Sequence, residues 1–328
     1  MQHNSVGRSD LTISAIGLGT SPFGREIDEE TSRRLLDYAL GKGIAFIDTA
    51  EEYGGGQARE YRRKVLEIDD VRETSGEMSS SERIIGSWLR DRGCRDDVTI
   101  CTKVGTGSTP ENINAALAAS AERLGVDCVD IYMLHSPDPD VPIDESLHAL
   151  DELVKDRRVG VVGCSNFSGE QLRQALAVST AKGYTRFDVI QPIYNLAHPE
   201  AETDLLPLCR QEQIAVTAYS PLGAGFLTGK YIGADREHLP EGTRFHVIPG
   251  HCDVYFSERN FRVVERLRSK AESLGTSMAL LAMAWAMSQP DISCTLVGAR
   301  KMEHIDNALA AFDAGIDPAL RQEMSDWA

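Results

Sequence analysis

Short apolar runs alternate along this chain with longer stretches in which apolar residues recur at helical spacing. The runs cover residues 15–20, 44–48, 98–103, 129–134, 159–165, 187–191, 214–220 and 292–298. Most are apolar nearly throughout, as parallel strands buried on both faces should be. Pro110 and Glu111 open a predicted helix over 112–124, with Ile113, Ala116, Leu117, Ser120 and Leu124 on one face. Ser168, Gly169 and Glu170 open another over 171–182, carrying Leu172, Ala175, Leu176 and Ser179. Strand starts recur about every 27–31 residues, with longer gaps after Asp48 and after Ser220. Eight such units predict an α/β protein, a (β/α)8 TIM barrel rather than a doubly wound sheet. The polar turn within 6–14 predicts an N-terminal β-hairpin plugging the barrel's N-terminal end. No linker composition divides the chain, so a single domain over 1–328 is expected, with long loops at the C-terminal face.

Two segments break the rhythm. The insertion at about 57–80 is dense in charge, and Tyr61, Val65 and Ile68 predict a short amphipathic helix on it. Because it follows a strand's C-terminal end, three roles stay open: a solvated decoration, a lid, or a partner surface, including one for a homo-oligomer. Segment 231–257 carries His238, His246, His251, Tyr255 and Phe256 among prolines and glycines. Its histidines lack metal-ligand spacing, so no metal is expected and a substrate-gating loop is.

Charge narrows the partners. Lys+Arg is 34 against Asp+Glu 50, a formal net charge of -16. Nucleic-acid phosphate and anionic membrane would be repelled on average, so neither is an expected partner, although a local basic pocket for a small anion is compatible. Apolar stretches such as 278–287 fall short of the ~20 residues a membrane span needs. No secretory signal is visible, and seven scattered cysteines suit reduced core thiols. These features predict a cytoplasmic protein.

A barrel of this kind places chemistry at the C-terminal ends of its strands. The second run ends at Asp48, with Tyr53 a few residues on; the third ends at Lys103 and the fourth meets His135. Four complementary ionisable groups closing neighbouring strands suit proton delivery to a carbonyl. A phenol has an ordinary pKa near ~10. A lysine ammonium beside it favours phenolate, and an aspartate keeps that lysine charged and oriented. A histidine N–H aimed at the same point would orient the substrate oxygen. No side chain supplies hydride, so a nicotinamide cofactor is the economical complement.

The Rossmann fingerprint is absent: Gly17 and Gly19 start like one, but proline follows at 22. The late strands are better candidates. Ser165, Asn166 and Gln191 suit a carboxamide, and Tyr219 offers a flat aromatic face. The stretch 220–230 is glycine-rich and ends in Lys230, which suits pyrophosphate. Arg300 and Lys301, beside Gly298 at a helix start, suit a 2′-phosphate and favour NADPH over NADH.

The runs D-T-A-x-x-Y-G, T-K, L-H-x-P-D, G-x-S-N-F, Y-S-P-L-G…L-T-G-K and G-A-R stand in order from the N-terminal hairpin to about Phe312. Together they resemble the aldo-keto reductase superfamily. That resemblance implies a (β/α)8 barrel, NADP(H) over its mouth, and a carbonyl or alcohol substrate of aldehyde, ketone or sugar-like type. It implies Tyr53 as general acid, Lys103 and Asp48 tuning it, and His135 orienting the carbonyl. Its cofactor residues would be Gly19, Thr20, Asp48, Ser165, Asn166, Gln191, Tyr219, Ser220, Pro221, Leu222, Gly223, Lys230, Gly298, Ala299, Arg300, His304 and Asn307. Phe23 and Tyr194, besides Tyr53 and His135, are expected against substrate, whereas Trp88 is expected in the core. His304 stands where many members have glutamine, and Ala308 where an asparagine is often found. The resemblance extends to potassium channel β-subunits, so a cofactor-binding regulatory subunit is the alternative.

Overall fold

The computed structural model describes residues 1–55 and 77–327. The helix expected within 57–80 lies almost wholly outside the described residues. Strands β1 (His3–Ser5) and β2 (Thr12–Ser14) form an antiparallel hairpin, Asn4 facing Ile13. Eight parallel strands follow: β3 (Ile16–Gly19), β4 (Phe46–Asp48), β5 (Thr99–Val104), β6 (Val129–Leu134), β7 (Val159–Ser165), β8 (Val189–Gln191), β9 (Ala215–Ala218) and β10 (Cys294–Gly298). They pair in sequence order, and β10 closes on β3 and β9 to complete the barrel. Each lies within a run expected to be a strand or overshoots it by one residue. The second strand is shorter than its run because the Ile44 N–H goes to Ala39 O at the end of the preceding helix, not to a ladder.

The helices between strands form where capping groups and apolar faces agree. Thr109 accepts from the Asn112 N–H at the start of helix Pro110–Leu124, whose Ile113, Ala116, Leu117, Ser120 and Leu124 are buried. Helix Gly169–Lys182 begins with a reciprocal capping box between Ser168 and Gln171. Trp88 is buried on helix Ser80–Arg92, its indole N–H donating to Asp37. Among the described residues no helix is long and apolar enough to cross a membrane. All seven cysteines are free thiols.

Strand periodicity divides the core in two. One set of side chains faces the helices; the other, including Phe46, Cys101, Ile131, Met133, Val161, Val189, Ala215, Cys294 and Leu296, fills the barrel interior. Val6 and Ile13 of the hairpin region belong to this inner cluster and close its lower end. Toward the C-terminal end the same inward parity delivers polar groups: Asp48 two residues after Phe46, Lys103 after Cys101, Gln191 after Val189. The interior therefore runs from apolar to polar along the barrel axis.

Gly17 is an inward position that must stay empty. A Cβ there would lie 2.7 Å from both Phe46 Cδ1 and Leu296 Cδ2 and 3.0 Å from Cys294 Sγ. Gly17→Ala is expected to destabilise the fold by about 1–3 kcal/mol through overpacking. Denaturant unfolding of the variant beside the parent measures this, and an unchanged midpoint would refute it.

Candidate active site

Parity carries Lys103 into the barrel, where its side chain is fully buried. An ammonium cannot stay charged there without close anionic and carbonyl partners. Lys103 Nζ donates to Asp48 Oδ1 at 2.7 Å and to Thr49 O at 2.8 Å. Gln191 Nε2 donates to the same Asp48 oxygen at 2.8 Å, linking strands across the barrel. Burial lowers the Lys103 pKa, but Asp48 and the neighbouring Tyr53 raise it further, and the net direction is upward.

The loop after β4 places Tyr53 over this pair, with Lys103 Nζ 5.1 Å from the ring centroid. Glu51 holds the loop by accepting from Gly105 N (2.6 Å), Thr106 N (2.8 Å) and Thr106 Oγ1 (2.9 Å) beyond β5. His135 follows β6, its N–H bonded to Val104 O, and its ring meets Tyr53 edge-on with centroids 5.7 Å apart. The four residues thus converge although they are scattered over more than eighty positions of sequence. Burial pushes the Tyr53 phenol up, and Asp48 adds to this, while the Lys103 charge opposes it. Burial, reinforced by Lys103, pushes His135 down to about 3. His135 Nδ1 has no hydrogen bond among the described residues and lies 3.5 Å from Glu52 Oε2.

Asp48, Tyr53 and His135 line one end of a cavity of about 570 Å³ that also reaches Gly19, Ser165, Asn166, Gln191, Tyr219, Ser220, Pro221, Leu222, Lys230, Gly298, Arg300, His304 and Asn307. Asn166 is held by both amide atoms, donating to His135 O and accepting from the Tyr219 hydroxyl, each at 2.8 Å. Ser165 donates to Gln191 O at 2.8 Å. The Ser165 lone pairs and the Gln191 side-chain Oε1 suit a carboxamide NH₂. Burial raises Tyr219 to about 12, so its ring is a neutral face. Beyond it the chain turns through left-handed Ser220, Gly223, Ala224 and Gly225. A Cβ on Gly225 would stand 2.9 Å from Lys230 Nζ, so glycine there gives the ammonium its place. An aromatic face, a loop of turned backbone and a terminal cation fit a dinucleotide's ring, diphosphate and charge.

Several expected contacts fall elsewhere. Tyr194 is fully buried, stacked on Trp285 with centroids 5.0 Å apart and hydrogen-bonded to Glu202 and Arg321. It is three residues beyond inward-facing Gln191, which gives it outward parity, so it packs against helices instead of lining the cavity. Phe23 is also fully buried in the outer core, tucked under by the bond from its N–H to Thr20 O. Thr20 lies behind the wall, donating to Asp48 O at 2.8 Å. Gly223 and Ala299 are buried and do not line the cavity. Ala308 is buried too, while the neighbouring Asn307 reaches the cavity.

The structure adds wall residues that sequence reasoning passed over, Glu26, Arg244, Ala279, Met283 and Glu303, and brings His251 of the expected gating segment to the same wall. Segment 231–257 meets the cavity through Arg244 and His251 at the Arg300 end, not at Tyr53. Its aromatic side chains Tyr231, Phe245, Tyr255 and Phe256 pack around Phe226 and around one another.

A family model described as the Aldo/keto reductase family matches residues 15–325. This chain belongs to that family. An aldo-keto reductase, YhdN, of Bacillus subtilis (strain 168) is 31% identical, covering 92% of this chain and 86% of that protein. A probable voltage-gated potassium channel subunit beta of Oryza sativa subsp. japonica is 30% identical, over 99% and 95%. An NADH-specific methylglyoxal reductase of Escherichia coli (strain K12) is 29% identical, over 99% of each. Family membership supports an oxidoreductase that uses a nicotinamide cofactor.

His135 stays neutral down to a pH near 3 in the folded protein, whereas an unfolded histidine protonates near 6.5. Its contribution to stability is therefore complete above pH 6.5 and is lost as pH falls toward 3. Below pH 6.5 the parent should lose more stability than a His135→Gln variant. Denaturant midpoints of both proteins across pH 4–7 measure the difference, and parallel pH profiles would refute it.

Proposed function

We propose that this chain reduces a carbonyl compound to an alcohol, with Tyr53 giving the proton to the carbonyl oxygen. The carrying observation is the buried Lys103 ammonium, bonded to Asp48 at 2.7 Å and lying 5.1 Å from the Tyr53 ring. When bound, a reduced nicotinamide dinucleotide supplies the hydride. The chain's residues do the rest. Tyr53 is held as a neutral phenol by burial and is an acid at neutral pH. As its proton leaves, the charge on Lys103 stabilises the phenolate, and Asp48 keeps that lysine charged and in place. Neutral His135 orients the substrate oxygen without competing for the proton.

Ser165 and Gln191 would take the nicotinamide carboxamide, Tyr219 the ring face, and Lys230 the diphosphate. Gly298, Arg300, His304 and Asn307 would take the adenosine end. Aldehydes, ketones and sugar-like carbonyls are the substrate class. Methylglyoxal joins the panel because one relative is named for its reduction.

Relatives named as probable potassium channel β-subunits, similar to this chain over nearly their whole length, support a second reading. In it, cofactor occupancy serves regulation of a partner. Dinucleotide binding without turnover of any carbonyl on the panel would select it.

Tyr53→Phe removes the phenolic hydroxyl, and with it the transferable proton, while keeping the ring. It is expected to lower kcat about 10²–10⁴-fold. Dinucleotide affinity, read by fluorescence quenching, should stay within about twofold, because the ring remains. Full turnover by this variant, followed as cofactor oxidation, would remove Tyr53 from the role.

A further inference from the structure

The chain leaves β3 through a tight loop in which the Gly24 N–H bonds to Ile27 O and the Glu26 N–H to Pro22 O. That loop sets the Glu26 carboxylate in the cavity wall with its side chain only 4% exposed. Three guanidinium groups meet it. Arg25 Nη2 donates to Oε1 at 2.8 Å, Arg244 Nη1 donates to the same oxygen, and Arg300 Nη1 donates to Oε2 at 3.1 Å. Arg244 and Arg300 themselves line the cavity. Their nearest charges there are thus already matched by a carboxylate from the chain.

We infer that Glu26 sets cofactor choice, holding Arg244 and Arg300 so that a 2′-phosphate gains little and NADH is taken at least as readily as NADPH. The inference rests on the dinucleotide reading of this cavity. A 2′-phosphate reaching Arg300 must either draw that guanidinium from Glu26 or lie beside a second anion; both weaken binding. The carboxylate cannot withdraw cheaply, because three ion pairs and a short loop fix it in a nearly dry place. An unphosphorylated ribose makes neither demand, and its hydroxyl can donate to a carboxylate, as acidic groups accept from the 2′-OH in NAD sites generally. The paired cations Arg300 and Lys301, which by themselves favour NADPH, are therefore offset by a residue more than 270 positions away in sequence.

Dissociation constants for NADH and NADPH, read by fluorescence quenching of the full chain and checked by competition with 5′-AMP and 2′,5′-ADP, test the assignment. The parent is expected to bind NADH as tightly as NADPH or more so. Glu26→Gln should shift the preference toward NADPH by about tenfold, mainly through tighter NADPH and 2′,5′-ADP. In the parent background Arg300→Met should change the NADPH:NADH affinity ratio less than about threefold, because toward a 2′-phosphate that charge is already matched by Glu26. Parent preference for NADPH by tenfold or more, or an unchanged ratio in Glu26→Gln, would overturn the inference while leaving the dinucleotide reading intact. Should Glu26→Gln not fold, the parent ratio and Arg300→Met still decide it. Binding of neither dinucleotide to the parent would overturn the reading and the inference together.

Discussion

A lysine ammonium with no exposure to water dictates the arrangement at the mouth of this barrel. Leaving such a charge unpaired after loss of one partner typically costs about 3–5 kcal/mol, so its surroundings have to be built around it. Asp48 and the Thr49 carbonyl accept two of its N–H hydrogen bonds. Gln191 donates to the same aspartate oxygen from across the barrel, and Thr20 fixes the aspartate's backbone from outside. What remains of the ammonium's field falls on Tyr53. The phenol feels two opposed effects, burial that keeps it protonated and a cation that makes losing the proton cheaper. An acid that is neutral at rest and stabilised once ionised follows from that opposition.

The rest of the barrel keeps this charge dry and still. Its lower interior is apolar and closed by Val6 and Ile13, leaving the polar layer open only upward. Three of the left-handed non-glycine positions among the described residues lie at the opening. Asn166, Ser220 and Ala224 hold left-handed backbone without being glycine, a conformation that costs free energy and persists only where neighbours enforce it. At Asn166 the enforcement is visible in two side-chain bonds, to His135 O and from Tyr219. The same bonds couple the residue expected to face a carboxamide to the histidine expected to face substrate. At Asn166 strain, hydrogen bonding and position in the cavity wall coincide.

Much of this was legible in the sequence because parallel strands buried on both faces leave a distinctive mark. Eight apolar runs, correctly spaced, gave the barrel, and reading what closed each run gave Asp48, Lys103 and His135. Parity could have gone further. Tyr194 stands an odd number of residues from inward Gln191, and that count alone points it at the helices, where it stacks on Trp285. Phe23 carried no such signal, since a turn rather than a strand buries it. Arg244, Ala279 and Met283 were missed for another reason. They reach the cavity from a loop and a helix remote in sequence, and only closure of the barrel brings β10 and its neighbours next to β3.

Glu26 shows most clearly what chain order hides. In sequence it is one acid among fifty, in a loop where exposure is the default. In the fold it is the counter-ion of a cationic wall within a chain of net charge -16. Burial and the surrounding arginines act on it in opposite directions, and the arginines prevail, holding its pKa near 2. Arg244 carries the converse sign of the same crowding: burial and the neighbouring Arg25 and Arg300 lower it to about 10. Lys230 is lowered as well, by burial and then by Arg300. Three guanidinium groups against one carboxylate leave the wall with an excess of positive charge. On the proposed dinucleotide reading that excess would draw a diphosphate, while the position next to Arg300 is already taken by the Glu26 carboxylate. General attraction and local exclusion coexist because the first sums over all the cations and the second depends on a single oxygen pair.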